Sequence, residues 1–333
     1  MTVEIDLTYH GEPAGIAAVA RSVEERAPGS ALYVPEGAHD AFVYMALAAD
    51  GTSRIQLGTS IALAFARSPM AMAYPAWDLQ RLSRGRFVLG IGSQIKPHIE
   101  RRYSMPWSRP ADRMREYVAA LRAIFHTWQT GEPLDFRGDF YTHTLMPPLL
   151  NPGPVSAPPP IWLAGVGPRM IEAAGAVADG FMCHPLLSQN YLRDMIRPGL
   201  DAGRATADSD RDFIVTAMAM VATGRTEEEL ATAVAGTKRQ IGFYASTPAY
   251  KPVLDHHGWG DLHAEAHALT KQGRWSELGG LIDDEVLGTL AVVAEMPDAG
   301  AAVRARFEGL ASRVILSIPY ATDPTFGLDI VTA

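Results

Sequence analysis

Cysteine is almost absent: Cys183 is the single one in 333 residues. One thiol closes no internal disulfide, so the fold must rest on its core, and a reducing cytosol is the expected setting. No apolar run approaches the length of a membrane span, and no basic-then-apolar signal opens the chain. Positive charge is not concentrated anywhere. With 29 Lys and Arg against 37 Asp and Glu the net charge is −8, which argues against nucleic acid or an anionic membrane as partner. His98, His143, His256 and His257 have no metal-ligand spacing, and the adjacent pair would diverge in any regular structure, so metal catalysis has little support. No P-loop, nucleophile elbow or C-x-x-C is present, and the segment from Leu7 to Gly15 lacks G-x-G-x-x-G.

What the chain does have is a β/α rhythm. The stretch from Arg54 to Gly92 sets it: two short apolar runs, Ile55–Leu57 and Phe87–Ile91, each stop at glycine and small polar residues. Between them Ser68-Pro69 opens a segment in which Met70, Met72, Ala73, Ala76, Trp77, Leu79 and Leu82 recur at helical spacing, closed by Gly85. Strand, helix, strand is the unit of a right-handed parallel crossover.

The same rhythm predicts further strands at Val3–Leu7, Ala31–Val34, Ile161–Ala164, Gly180–Cys183, Phe213–Val221 and Val314–Ile318. Helices are expected between them, clearest from Ala111 to Trp128, where Met114, Val118, Leu121, Phe125 and Trp128 share one face. Two stretches rich in proline and glycine, 131–159 and 246–285, read as insertions, the first with a small hairpin around Phe136–Phe140. Eight apolar strands separated by helices argue for a closed parallel barrel, a single domain over 1–333. An open doubly wound sheet is the runner-up.

In a parallel barrel, ligands sit at the C-terminal strand ends. Two glycine loops fall there, Gly90-Ile91-Gly92-Ser93 and Gly165-Val166-Gly167-Pro168, and the second runs straight into a helix start. Glycine lets backbone amides approach an anion closely, and a helix start favours negative charge. Either loop alone could be a plain tight turn. Two on adjacent strands point to an extended phosphorylated cofactor. Glu36 and His39 lie in the loop after the second strand, where an acid and a histidine can handle protons. A surface acid and a structurally bonded histidine are the plain alternatives. His184, after the sixth strand, has the same two readings, with packing the simpler. Arg101, Arg102 and Arg109 could clamp phosphate or form a solvated face, and Cys183 reads as a small buried apolar residue.

At four of these segments the sequence resembles the bacterial luciferase-like superfamily, and within it the coenzyme F420-dependent oxidoreductases. The segments are Ile55–Ile61 (IQLGTSI), Leu82–Gly92 (LSRGRFVLGIG), Pro160–Pro168 (PIWLAGVGP) and Ala178–Phe181 (ADGF). The resemblance implies a (β/α)8 TIM barrel with insertions, usually a homodimer, with a deazaflavin across the C-terminal mouth. It implies a cis peptide at Ser60-Ile61 backing the ring, cofactor contacts from Gly92 and Ser93, and phosphate held by Gly165, Val166 and Gly167. The implied activity is hydride transfer between the deazaflavin C5 and a small organic substrate. An FMN-dependent monooxygenase of the same superfamily is the alternative, and a non-catalytic F420-binding protein a second. The family often has an acid-histidine pair after strand two. Here Glu36 matches the acid, Gly37 follows, and His39 is the nearest histidine.

Overall fold

The structure, a computed structural model, describes residues 3–207, 212–321 and 323–333. Eight strands form the barrel: β1 (Glu4–Thr8), β2 (Leu32–Val34), β3 (Leu57–Thr59), β4 (Phe87–Gly92), β5 (Ile161–Ala164), β6 (Gly180–Met182), β7 (Ile214–Ala222) and β8 (Arg313–Ser317). Every neighbouring pair is parallel, from Leu7 opposite Leu32 round to Ala217 opposite Val314. The ring closes where β8 returns to β1, with Ile5 opposite Val314. An open sheet is thereby ruled out.

The strands are apolar throughout because both faces are covered. Outside, the helices Pro69–Leu82 and Pro110–Thr130 bury Trp77, Trp128 and Tyr117, with Trp77 and Trp128 packed on each other at 5.5 Å between ring centroids. Inside, Ala31, Tyr33, Val88, Trp162, Met182 and Ile315 pack into a lumen core. The N-terminal end of the barrel is tied by fully buried Asp6, which accepts from both Arg313 Nε (2.8 Å) and the Ala31 amide (2.8 Å) and pairs with Arg313 Nη2 as well.

The helix starts follow the sequence cues. Ser68 Oγ accepts the Ala71 amide at 3.2 Å with Pro69 in the first turn, and Asp40 caps Ala41–Asp50 through the Phe42 amide at 2.8 Å. In the first insertion Phe136–Arg137 and Thr142–His143 form the expected hairpin. The second folds into short helices, the longest Gly260–Lys271.

Four local readings need correction. β3 begins at Leu57 rather than Ile55 and runs through Gly58. Gly90 and Gly92 are strand rather than loop. Ala291–Val293 adds a strand beside β7, and the helix Phe326–Thr332 follows β8, so the helix Met296–Phe307 is not the last. The glycines were misread as turn punctuation because glycine marks turns and close approaches alike. At Gly58 a Cβ would lie 2.7 Å from Tyr33 Cε1, and at Gly90 it would lie 1.9 Å from the Thr59 carbonyl oxygen.

Candidate active site

A cavity of about 820 Å³ opens at the C-terminal mouth, a volume in the range of sites for cofactors and drug-sized ligands. Its floor is the top of the lumen core: Ile61, Ala164, Met182 and Met218 both pack on that core and line the cavity. The two halves of the wall differ in chemistry.

The β3–β5 half is built from backbone and small side chains. Ser60, Ile61, Gly92, Ser93, Gly165, Val166 and Gly167 all line it, so every residue assigned to the cofactor on sequence grounds faces one space. The Ser60–Ile61 peptide is cis. Gly167 has φ +81° and ψ 151° and caps the helix Pro168–Val177, leaving that helix's first amides at the cavity edge. Of the non-glycine residues held in the left-handed region, Gln94 (φ 60°) and Arg109 (φ 36°) also line the wall. Strained backbone of this kind gathers at ligand sites.

Charge is equally one-sided. Lys96, Arg109 and Arg169 line the β4–β5 rim, and no carboxylate lines the cavity among the described residues, in a chain whose net charge is −8. Their partners are surface ones: Lys96–Glu100 at 3.7 Å, Arg109–Asp139 at 3.1 Å and Arg169–Asp112 at 3.6 Å. Exposed pairs of this sort are worth ~0–1 kcal/mol and yield readily to a bound anion.

The opposite half comes from β6–β8, β1, the end of the helix Glu227–Ala245 and the start of the second insertion. Met182, Met218 and Leu316 supply apolar surface, with Tyr244 and Tyr250 as an aromatic wall. His184 lies between them, stacked on Tyr250 (centroids 4.0 Å, 25°) and edge-on to Tyr244 (4.6 Å, 75°). Burial lowers its pKa to about 3, so the ring is neutral. Cys183 is buried, its thiol pushed up to about 12, and is an inert packing residue. His10 also lines the mouth, its basicity lowered by desolvation.

Glu36 and His39 lie off the cavity wall. Glu36 is turned to the bulge behind it. Its amide donates to the Ile61 carbonyl (3.0 Å), its Oε2 accepts the Leu63 amide (2.8 Å), and its Oε1 pairs with Arg67 Nη2. Burial pushes this carboxyl above its usual range, with the Leu63 amide and Arg67 opposing that shift. Its geometry is that of a brace for the Ser60–Leu63 segment, whose Ala62–Leu63 pairs with Ile91 and Gly92 of β4. Glu36→Ala leaves the Leu63 amide without its acceptor and Arg67 with only the 3.7 Å pair to Asp40, and is expected to cost ~2–4 kcal/mol in urea unfolding, while Glu36→Gln, which still accepts from Leu63, loses less. Equal losses for the two variants would contradict that role. His39 sits with Nε2 3.6 Å from Glu12 Oε2 and its ring edge-on to Tyr44.

Tyr244, Tyr250, Trp107, Met218 and His10 line the site without any sequence cue to nominate them. Conversely, His263 and His267 stand four apart on Gly260–Lys271, a metal-like spacing passed over in the sequence. Their Nδ1 atoms are engaged by the Ala245 and Ser246 carbonyls, and no group of three metal-ligating side chains occurs among the described residues. No described helix is long and apolar enough to cross a membrane.

A closed parallel barrel with a large cavity at the strand C-termini is the layout of the TIM-barrel enzymes. Within that class, the sequence model described as luciferase-like monooxygenase matches residues 4–313, and the chain belongs to that family. An uncharacterised protein of Mycobacterium tuberculosis is 52% identical over 285 residues, covering 85% of this chain and 84% of its own. Two solved structures share the fold. A coenzyme F420-dependent tetrahydromethanopterin reductase from Methanopyrus kandleri superposes with TM-score 0.77 at 19% identity, covering 99% of this chain and 97% of its own. An F420-dependent secondary alcohol dehydrogenase, solved with an F420-acetone adduct, superposes with TM-score 0.75 at 17% identity, covering 100% and 98%.

Proposed function

We propose that the protein is an F420-dependent oxidoreductase acting on a small organic substrate. The observation that carries this reading is the division of the mouth, with an amide-rich, cation-rimmed cradle on one side and an apolar, aromatic wall on the other. The cradle suits a phosphorylated tricyclic cofactor. Ile61 and Gly92 offer flat contact for a ring, the Gly165–Gly167 turn and the amides after Pro168 receive phosphate, and Lys96 and Arg169 meet an anionic tail. When bound, the deazaflavin supplies hydride exchange at its C5.

The protein's own part is placement and dryness. The floor residues Met182 and Met218 leave little room for water beneath the reacting atoms, and the walls hold the substrate against the cradle. Glu36 keeps the segment that carries Ser60 and Ile61 in place. His39, off the cavity wall, is not required by this arrangement.

An FMN-dependent monooxygenase is the second reading, favoured by the description of the family itself. Titration with F420 and with reduced FMN, followed by oxygen uptake, separates the two. F420 binding in the micromolar range with oxidation of F420H2 by ketones, aldehydes or enones and no oxygen uptake supports the proposal. Tight reduced FMN with oxygen consumption overturns it, and F420 binding without turnover on any of the panel leaves a non-catalytic carrier.

A further inference from the structure

We propose that the β6–β8 half of the cavity takes an uncharged, mostly apolar substrate carrying one hydrogen-bond-accepting oxygen, and that the Nε2–H of His184 is the donor that meets that oxygen. This rests on reading the opposite half as the cofactor cradle. The argument begins with what lines this half: Met182, Met218, Leu316, Tyr244, Tyr250 and His184, with no charged side chain among the lining residues from β6, β7, β8 or the segment 244–250. A carboxylate or phosphate placed there would lose its water and gain no counter-charge. The cations are all across the cavity, on the β4–β5 rim, where the cofactor's own anions compete for them.

His184 is fixed in one chemical form. The Leu186 amide donates to its Nδ1 at 3.1 Å, so the ring proton sits on Nε2. The Tyr250 stack and the Tyr244 edge contact set the ring plane. Nε2 has no partner among the described residues, and it is not among the buried polar atoms left without one, so it reaches open space. A neutral imidazole held in this way is a hydrogen-bond donor that orients and polarises a carbonyl or hydroxyl oxygen. It does not give up its proton. Tyr244 lies in the last turn of the helix Glu227–Ala245 and Tyr250 ends the turn Pro248–Tyr250, so the end of that helix and the start of the second insertion together build this pocket.

The test uses the full chain loaded with F420 and two probes of matched shape, cyclohexanone and cyclohexanecarboxylate, with glucose 6-phosphate as a third, read by saturation-transfer NMR. Expected are measurable cyclohexanone binding and at least tenfold weaker binding of both anions. His184→Phe, which keeps the stack and removes the donor, is expected to weaken cyclohexanone at least fivefold with the F420 Kd unchanged. His184→Gln, which restores a donor, recovers part of the loss. Anions binding as well as the ketone, no ketone binding, or a His184→Phe protein indistinguishable from wild type would each overturn the inference. Failure to take up F420 at all is a separate result that removes the proposed function, and the ketone–carboxylate comparison on the unloaded chain then still decides the pocket's preference.

Discussion

Replacing Arg313 with methionine is expected to remove ~3–5 kcal/mol of folding free energy, the usual cost of taking one partner from a buried ion pair. The size follows from what is left behind. Asp6 is fully buried, and two of its partners are the Nε and Nη2 of Arg313. The Ala31 amide would be its remaining contact. The pair also spans the closing seam of the barrel, since Arg313 lies opposite Glu4 in the β8–β1 register and Asp6 follows two residues on. Burial already raises the Asp6 carboxyl above its ordinary value, with Arg313 holding it down.

Losing the guanidinium raises it further, and this fixes the sign of the pH dependence. The folded variant holds its proton more tightly than the unfolded chain, so its stability falls as pH rises through the interval between the two values. The deficit in urea midpoint is therefore expected to be smallest near the ordinary aspartate pKa and largest at neutral pH. Asp6→Asn combined with Arg313→Met should recover much of the loss, because no unpaired charge remains. A single variant within ~1 kcal/mol of wild type at pH 7 would show that the seam does not depend on this pair.

Gly90→Ala is expected to be the most damaging single-methyl addition, costing more than ~3 kcal/mol or preventing folding. The added Cβ would lie 1.9 Å from the Thr59 carbonyl oxygen and 2.7 Å from Met182 Sδ. The methionine can swing away, but the carbonyl belongs to the neighbouring strand and cannot. Relief requires β3 and β4 to separate where Thr59 Oγ1 donates to the Gly90 carbonyl at 2.6 Å, directly beneath Ser60 and Gly92. Any folded fraction should therefore bind cofactor poorly. Gly288→Ala is the control. Its Cβ meets nothing within 4 Å and it lies in the helix Asp284–Leu290, so a small gain of up to ~1 kcal/mol is expected. Similar thermal midpoints for the two variants would contradict the packing argument.

The barrel was legible because its evidence is redundant. Apolar runs such as Ile161–Ala164 and the face Met114, Val118, Leu121, Phe125 and Trp128 need only periodicity to be seen, and all five of those helix residues are buried. Part of the amide-rich side of the cavity was legible for a related reason. Glycine before a helix-starting proline at Gly167-Pro168 is local grammar, and that turn does line the mouth, whereas Gly90 and Gly92 proved to be strand, with only Gly92 of the two on the cavity wall. The rest of the site is not local. Tyr244, from the helix Glu227–Ala245, and Tyr250, from the start of the second insertion, reach His184 across about sixty residues of chain. Sequence alone put His39 forward and read His184 more simply as packing, and only the fold places His184 in the wall and His39 beside Glu12. Glu36 shows the opposite limit. An acid at the family's position looks catalytic in a sequence, yet its oxygens are spent on the Leu63 amide and Arg67.

The central claim is that the β3–β5 half of the mouth is a cradle for F420, and the most direct test is a crystal structure of the full chain soaked with that cofactor. The account predicts the tricyclic ring against Ile61 and Gly92, with the phosphate within hydrogen-bonding distance of the Gly165–Gly167 turn and the amides after Pro168. A ring lodged instead against Tyr244 and Tyr250, or a phosphate held away from that turn, would contradict it.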